Sequence, residues 1–195
     1  MTGRGLALLL VLLAPCAIAQ DQDRSAEEPP ALVFGAGAGY LLKNYPDAGF
    51  SYDRSGGVAF DVRVLWRIRH FFGISGGAGR AVIASERMPG ETAAGRSTAS
   101  MSLVTYPVFL GMHLRFQHFY LHAHFAVHFV NSSIEAFGER SSAAKVDMGY
   151  EIGGAYRLPI DGSFELNAGA TLHYLSDLKA LMLIPRIGVD AVIFR

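Results

Sequence analysis

Cysteine, unbalanced charge and long apolar runs are all scarce in this chain of 195 residues. The single cysteine, Cys16, excludes an intrachain disulfide framework. Basic and acidic residues number 17 each, and no run of Lys or Arg follows the spacing of a phosphate backbone, which argues against nucleic acid as a partner. After residue 30 no stretch reaches the roughly 18 continuous apolar residues of a membrane-spanning helix.

Apolar and small residues are abundant instead. The chain is 51% hydrophobic and only 17% charged, and it contains 22 Gly and 13 Phe. This composition favours many apolar strands joined by tight turns over amphipathic helices. The length favours one compact domain.

The N-terminal segment has the features of a secretory signal peptide. Arg4 supplies a basic start, residues 6–13 form a short apolar core, and Ala19 ends a small-x-small cleavage site, so residues 1–19 are predicted to be removed. Residues 20–30 are polar, acidic and closed by two prolines, which predicts a flexible periplasmic leader. The folded domain is expected at residues 31–195.

Alternation of polar and apolar residues runs through that domain. In residues 58–68, Val58, Phe60, Val62, Val64, Trp66 and Ile68 share one face, whereas Asp61, Arg63 and Arg67 lie on the other. Similar patterns occur seven more times, at residues 31–42, 71–83, 101–116, 118–130, 145–158, 163–174 and 184–194. Most of these segments have 11 to 14 residues, long enough for a tilted strand to cross a bilayer.

The connections between these segments are alternately long and short. Short turns are predicted near Arg69, near Gln117 and at residues 159–162. The longer connections are residues 43–57, 84–100, 131–144 and 176–183. This order predicts an all-β fold, an eight-stranded antiparallel up-and-down barrel, with the longer loops facing outward from the cell.

The size of the side chains indicates which face is inside. The glycines of the third segment would lie opposite Asp61 and Arg63, which makes room for long polar side chains in a narrow lumen. The apolar faces carry too many aromatic rings for the interior of eight strands but suit a lipid-facing band. A transmembrane barrel with a plugged polar lumen is therefore favoured, and a secreted soluble barrel that carries a ligand is the alternative.

Three motifs resemble the small outer-membrane β-barrel proteins of the porin-like superfamily, the OmpA and OmpX type. They are the Tyr106-Pro107-Val108 step, the run from Asp147 to Gly154, and the pattern Arg186-x-Gly188-x-x-Ala191-x-Ile193 at the end of the chain. The last of these is similar to the signal read by the barrel-assembly machinery. The resemblance implies a bacterial outer-membrane location, with outer-membrane lipid and the assembly machinery as partners and the outward loops as the place for a surface partner.

The fifth segment carries an unusual row of histidines. His122 and His124 are neighbours on one face, and folding about Gln117 brings His113 diagonal to His118 and His122, so a metal site is geometrically possible. The alternative pairs His128 with Asp147 and His124 with Glu151, as in a hydrogen-bonded lumen whose stability depends on pH. The second interpretation is favoured, and no metal, cofactor or catalytic residue is assigned.

The rival function is a lipid A modifying barrel enzyme with a His–Ser pair. His173 and Ser176 fall on opposite faces of their strand, and no carboxylate is positioned to orient His128 next to Ser132. The sequence therefore predicts a non-enzymatic outer-membrane barrel with a structural or interaction role.

Overall fold

A computed structural model describes residues 30–44, 56–92 and 95–194, which form one antiparallel sheet closed into a barrel. Its strands are β1 Ala31–Asn44, β2 Gly56–Arg67, β3 Phe72–Thr92, β4 Gly95–Arg115, β5 Phe119–Ala136, β6 Glu139–Pro159, β7 Phe164–Leu175 and β8 Ala180–Phe194. Within these residues there is no helix long and apolar enough to span a membrane. The predicted signal peptide and nearly all of the predicted leader lie outside the described residues.

Each strand pairs with the next one along the chain, and β8 closes the ring by pairing with β1. In the closing pair Gly37 lies opposite Gly188 and Gly35 lies opposite Asp190. The predicted eight-stranded up-and-down barrel is confirmed. Closure leaves no unpaired sheet edge, which matters in lipid because water is not available to hydrogen-bond an exposed backbone.

Alternate residues point into and out of the barrel. On β2 the Arg63 residue is 4% exposed whereas Trp66 is 56% exposed. Asp61 and Arg63 lie opposite Gly79 and Gly77 of β3, as the sequence predicted. Large polar side chains therefore face inward next to small ones, and bulky apolar side chains face outward.

The outward face carries a continuous apolar band. On β5 the band extends from Phe119 to Phe129, about 34 Å along the strand at ~3.4 Å per residue and about 26 Å in height at ~40° of tilt. Aromatic rings mark its two borders, as expected where a barrel meets the two surfaces of a bilayer. They are Trp66, Phe119, Tyr156 and Phe164 at one border and Tyr40, Tyr106, Phe129 and Tyr174 at the other.

Two hairpins are much longer than the sequence pattern indicated. The predicted loop at 84–100 is strand up to Thr92 and again from Gly95, with residues 93–94 outside the described part. The predicted loop at 131–144 is likewise strand except for the two-residue turn Phe137–Gly138. Both loop predictions are wrong. Polar residues on both faces of a segment were interpreted as a loop, but in the structure these segments are paired strands with both faces in contact with water.

The other connections stay closer to the prediction. Residues 45–55 of the predicted loop at 43–57 lie outside the described residues, and the loop at 176–183 is a turn of residues 176–179 followed by β8. The four β1–β2, β3–β4, β5–β6 and β7–β8 connections share one end of the barrel, called here the hairpin end. The opposite end, called the turn end, holds the short connections at 68–71, 116–118 and 160–163.

Candidate functional site

The lumen holds a set of charged side chains of both signs, arranged in layers. At the turn end, Arg157 and Arg115 both reach the Glu165 carboxylate, the latter at 3.0 Å. Arg157 also donates to the backbone carbonyl of Phe116 at 3.0 Å. The Glu165 carboxylate thus ties β4, β6 and β7 together, and Arg157 holds the turn between β4 and β5.

The next layer contains a bidentate ion pair across the sheet closure. Nη2 of Arg63 donates to both carboxylate oxygens of Asp190, at 2.8 and 2.7 Å, and Nη1 donates to the Tyr120 hydroxyl at 2.8 Å. All three side chains are buried. A buried charge is tolerated only when it is paired and hydrogen-bonded, and this arrangement meets both conditions.

A further ion pair lies nearby, between Arg186 and Asp61 at 3.0 Å. These long side chains fit because β1 presents glycine to them. A Cβ built on Gly35 would collide with Asp190 and Arg63, and one built on Gly37 would collide with Arg186. Gly35 and Gly37 are therefore lumen positions where the lack of a side chain leaves room for these charged groups.

The histidines fill the middle of the lumen. His113 and His122 lie directly opposite each other on β4 and β5, and the His122 and His124 rings stack with centroids 4.7 Å apart. His113 packs against the Tyr120 ring at 4.5 Å. The prediction that His118 joins this group is wrong, because His118 precedes β5 in the turn and stacks on the outward-facing ring of Tyr156.

The carboxylate of Glu151 lies close to two histidines on the neighbouring strands. Nδ1 of His124 lies 3.4 Å from one carboxylate oxygen and Nδ1 of His173 lies 2.9 Å from the other. The predicted neighbourhood of His124 and Glu151 is confirmed by their register. The participation of His173 was missed, although the short β6–β7 turn places it opposite Glu151.

His124 also contacts Ser75. The series Ser75, His124 and Glu151 has the order of a catalytic triad, in which a hydroxyl, an imidazole and a carboxylate follow one another. Oγ of Ser75 lies 2.8 Å from Nε2 of His124, and the far ring nitrogen faces Glu151. Ser75 is buried, however, and the adjoining cavity measures about 40 Å³. A pocket for a small organic substrate is about 300 Å³ or more, so the space beside His124 is too small to hold one.

The two His–Ser pairs weighed from the sequence do not form. His173 points to Glu151, whereas the backbone N–H of Ser176 bonds to the Met148 carbonyl at 2.9 Å. Ser132 donates to the carbonyl of Ala143.

The hairpin end of the lumen is apolar, which the sequence did not predict. Val130 and Leu175 lie two residues beyond His128 and His173 and are buried. They pack with side chains from the other strands in a single cluster: Leu41, Ala59, Ala81, Ile83, Ala180, Met182 and Ile184. A layer of hydrocarbon therefore separates the polar lumen from the hairpins.

The sequence and the fold were compared with known protein families and solved structures. The family model described as "Outer membrane protein beta-barrel domain" matches residues 6–184. The structure of Ail, the attachment invasion locus protein of Yersinia pestis, in complex with the heparin analogue sucrose octasulfate, is similar with a TM-score of 0.60 and 12% identity. The match covers 85% of this chain and 100% of that one.

A major outer membrane protein from Thermus thermophilus is similar with a TM-score of 0.54 and 12% identity, over 85% of this chain and 100% of that one. At such low identity these likenesses show the fold alone. No curated protein matches the sequence. The family match covers most of the chain, and it agrees with the closed barrel and its apolar outer band. The chain therefore belongs to the outer membrane protein β-barrel domain family and is an integral protein of the bacterial outer membrane.

Proposed function

We propose that the protein is a non-conducting barrel that anchors two long β-hairpins outside the membrane as an interaction surface. This proposal rests on one observation: the lumen is blocked at two levels along its axis. Ion pairs such as Arg63–Asp190 cross it in the polar half, and the apolar cluster around Leu41 and Met182 fills the hairpin end.

The remaining space supports a plugged interior. The cavity beside His124 and His128 measures about 40 Å³, enough for a few water molecules at ~10–15 Å³ each. A barrel of eight strands has an interior just wide enough for its own side chains. Continuous passage of hydrated ions would require several buried ion pairs and the apolar layer to move together.

The two long hairpins support an external role. Strands β3, β4 and β6 have 21 residues each against 12 in β2 and β7. Nine additional residues add about 30 Å along a strand at ~3.3 Å per residue, which carries these hairpins well beyond the hydrocarbon layer. On β6 the outward side chains change accordingly, from Val146 within the apolar band to Ser142 beyond it.

The tip of the β5–β6 hairpin has an unusual composition. Phe137 adopts a positive φ of 56° and is 74% exposed, next to Gly138 at φ 82°. A bulky side chain is rare in this region of backbone space and is a strained choice for a tight turn. Strained residues that persist on a surface often mark a contact with a partner, and an exposed aromatic ring is a favourable anchor for one.

Planar-bilayer conductance tests the plugged lumen. The exported chain is purified, shown to be folded by its shift in gel mobility on boiling, and inserted into bilayers with an open general porin as positive control. We expect no stepwise conductance. Steady porin-like steps from the folded protein would contradict the proposal.

A photo-cross-linking amino acid tests the hairpin surface in living cells. Placed at position 137, it is expected to give a discrete adduct with a macromolecule at the cell surface. Placed at position 66 in the apolar band, it is expected to react with lipid only. Identical adduct patterns at the two positions would contradict an interaction role for the hairpin.

A further inference from the structure

Three ligand-type side chains converge on the hairpin side of the polar lumen. His128 on β5, Glu151 on β6 and His173 on β7 each offer one ligand atom, and these atoms all lie within 4.8 Å of one another. The residues are 0%, 3% and 8% exposed. Three adjacent strands therefore direct two imidazoles and one carboxylate at a single buried point.

The atoms that meet there lack ordinary hydrogen bonds. Nε2 of His128, Nδ1 of His173 and Oε1 of Glu151 are buried and have no hydrogen-bond partner among the described residues. The last two atoms are only 2.9 Å apart, but they are not aligned as donor and acceptor. Buried polar atoms without partners are costly, so their convergence calls for a further binding group.

Neighbouring residues hold the His128 ring and the Glu151 carboxylate in orientations that suit a cation. Nδ1 of His128 lies 3.2 Å from the hydroxyl of Thr105; if Nδ1–H donates to it, Nε2 keeps its lone pair. The second oxygen of Glu151 faces His124, which is itself held by Ser75 at 2.8 Å. Metal-binding histidines and carboxylates are commonly fixed in this way by outer hydrogen bonds.

The local charge is compatible with a divalent ion. Arg63 and Arg186 line the same cavity, but each is already paired with a carboxylate, Asp190 and Asp61 respectively. The Glu151 carboxylate is thus available to offset the charge of a metal. The cavity of about 40 Å³ beside the three ligands has room for a water molecule as a fourth ligand.

We propose that His128, Glu151 and His173 bind a divalent transition-metal ion, with Zn²⁺ as the best match. Two imidazole nitrogens and one carboxylate oxygen form a borderline donor set that suits Zn²⁺ with a tetrahedral arrangement. Bound there, the ion links β5, β6 and β7 inside the barrel. The ligands differ from the histidines singled out in the sequence, because only His128 belongs to both sets. The sequence drew attention to His113, His118, His122, His124 and His128. The metal site is independent of the role proposed for the hairpins.

Metal titration of the folded barrel in detergent micelles tests the site. The exported chain is freed of metal with a chelator and titrated with Zn²⁺ by calorimetry and with Co²⁺ by visible absorption. We expect one ion per chain and the intense Co²⁺ bands of a four-coordinate site. Failure of the wild-type barrel to bind either ion saturably would overturn the proposal.

Variants assign the binding to these residues. His173→Gln and Glu151→Gln should each weaken Zn²⁺ binding by at least the ~10–100-fold typical of losing an outer-shell partner, and Thr105→Val should weaken it by about that amount while all three ligands stay in place. His113→Gln, a buried lumen histidine outside the cluster, is the matched control and should bind as the wild type does. Each variant is checked for folding by its gel shift on boiling.

The comparison remains informative if one variant does not fold, because Thr105→Val and the Co²⁺ spectrum of the wild type do not require a ligand to be removed. Unchanged affinity in both His173→Gln and Glu151→Gln would overturn the proposal. So would an equal loss in His113→Gln, since binding would then depend on the general integrity of the lumen.

Discussion

Asp147 lies directly opposite His128 in the register of β5 and β6, yet its carboxylate bonds elsewhere. Its two oxygens accept the backbone N–H groups of Asp177 and Leu178 at 3.0 and 3.2 Å. The sequence predicted a histidine–carboxylate pair at this position. The carboxylate instead fixes the β7–β8 turn, and His128 lies in the cluster with Glu151 and His173.

We expect Asp147→Asn to loosen the β7–β8 turn. The amide side chain has one acceptor oxygen in place of two and no charge, and hydrogen bonds to a charged group contribute about 1.5–3 kcal/mol. Hydrogen exchange of the Asp177 and Leu178 amides should therefore become at least about tenfold faster. Asp161→Asn is the matched control, since Asp161 accepts from Ser163 and Phe164 in a turn at the other end of the barrel. Equal exchange at Asp177 in wild type and Asp147→Asn would contradict the role of this carboxylate.

Removing one partner of the Arg63–Asp190 pair should strongly destabilise the barrel. Asp190→Asn leaves the guanidinium buried without a counter-charge, so the free energy of unfolding should fall by about 3–5 kcal/mol. Urea unfolding in micelles measures it, with the fluorescence of Trp66, the single tryptophan, as the signal. As a control, Asp177→Asn removes the half-exposed ion pair with Lys145 and should cost at most about 1 kcal/mol.

A methyl group at Gly111 should disturb the contact between β4 and β5. A Cβ built there meets the backbone of Ala123 and His124, which cannot move without shifting a strand. Gly76→Ala is the matched control on the neighbouring strand, because its Cβ has more room: it lies 3.2 Å from the Leu110 side chain and 3.3 Å from the Phe109 carbonyl oxygen. Gly111→Ala should cost about 1–3 kcal/mol and Gly76→Ala clearly less, as measured by urea unfolding. Equal costs would contradict the register.

Charge on the outward face should be tolerated only beyond the apolar band. Val62 lies at the centre of the band on β2, so Val62→Arg should lower the free energy of unfolding in lipid vesicles by about 2–4 kcal/mol. Ser142→Arg, on the hairpin beyond the band, should leave it within about 0.5 kcal/mol. Similar effects at the two positions would show that the membrane border has been misplaced.

The strained turn at Phe137 should be improved by asparagine. Asn followed by Gly is the preferred pair for a two-residue hairpin turn with both φ angles positive. Removing the backbone strain of a bulky residue at this position should raise the free energy of unfolding by about 1 kcal/mol. Phe137→Asn should therefore unfold at a higher urea concentration than the wild type while it removes the exposed ring. Lower stability would indicate that the ring packs against the barrel.

The fold could be predicted from the sequence because one face of every strand meets lipid. That requirement produces strict alternation in segments such as Val58 to Trp66, and the short turns then set the register that places Arg63 opposite Gly77. Beyond the band both faces meet water or other polar groups, the alternation disappears, and the extension of β5 to Ala136 could not be distinguished from a loop.

The candidate metal cluster was harder to foresee. Its ligands come from three strands, and the row of histidines on β5 drew attention to one strand alone. His173 could have been identified by counting outward from the turn at 160–163, which pairs it with Glu151. The apolar cluster at the hairpin end was hidden because Leu41 and Leu175 lie at strand ends, where direction is difficult to assign from a few residues.

The contact of Gly35 with Arg63 and Asp190 has a consequence for how this family can diverge. The three residues lie on β1, β2 and β8, far apart in the chain, yet they share one small volume. A larger residue in place of Gly35 is acceptable only if Arg63 or Asp190 shortens in the same lineage. These positions should therefore change in concert across related genomes, while outward positions of the same strands drift independently.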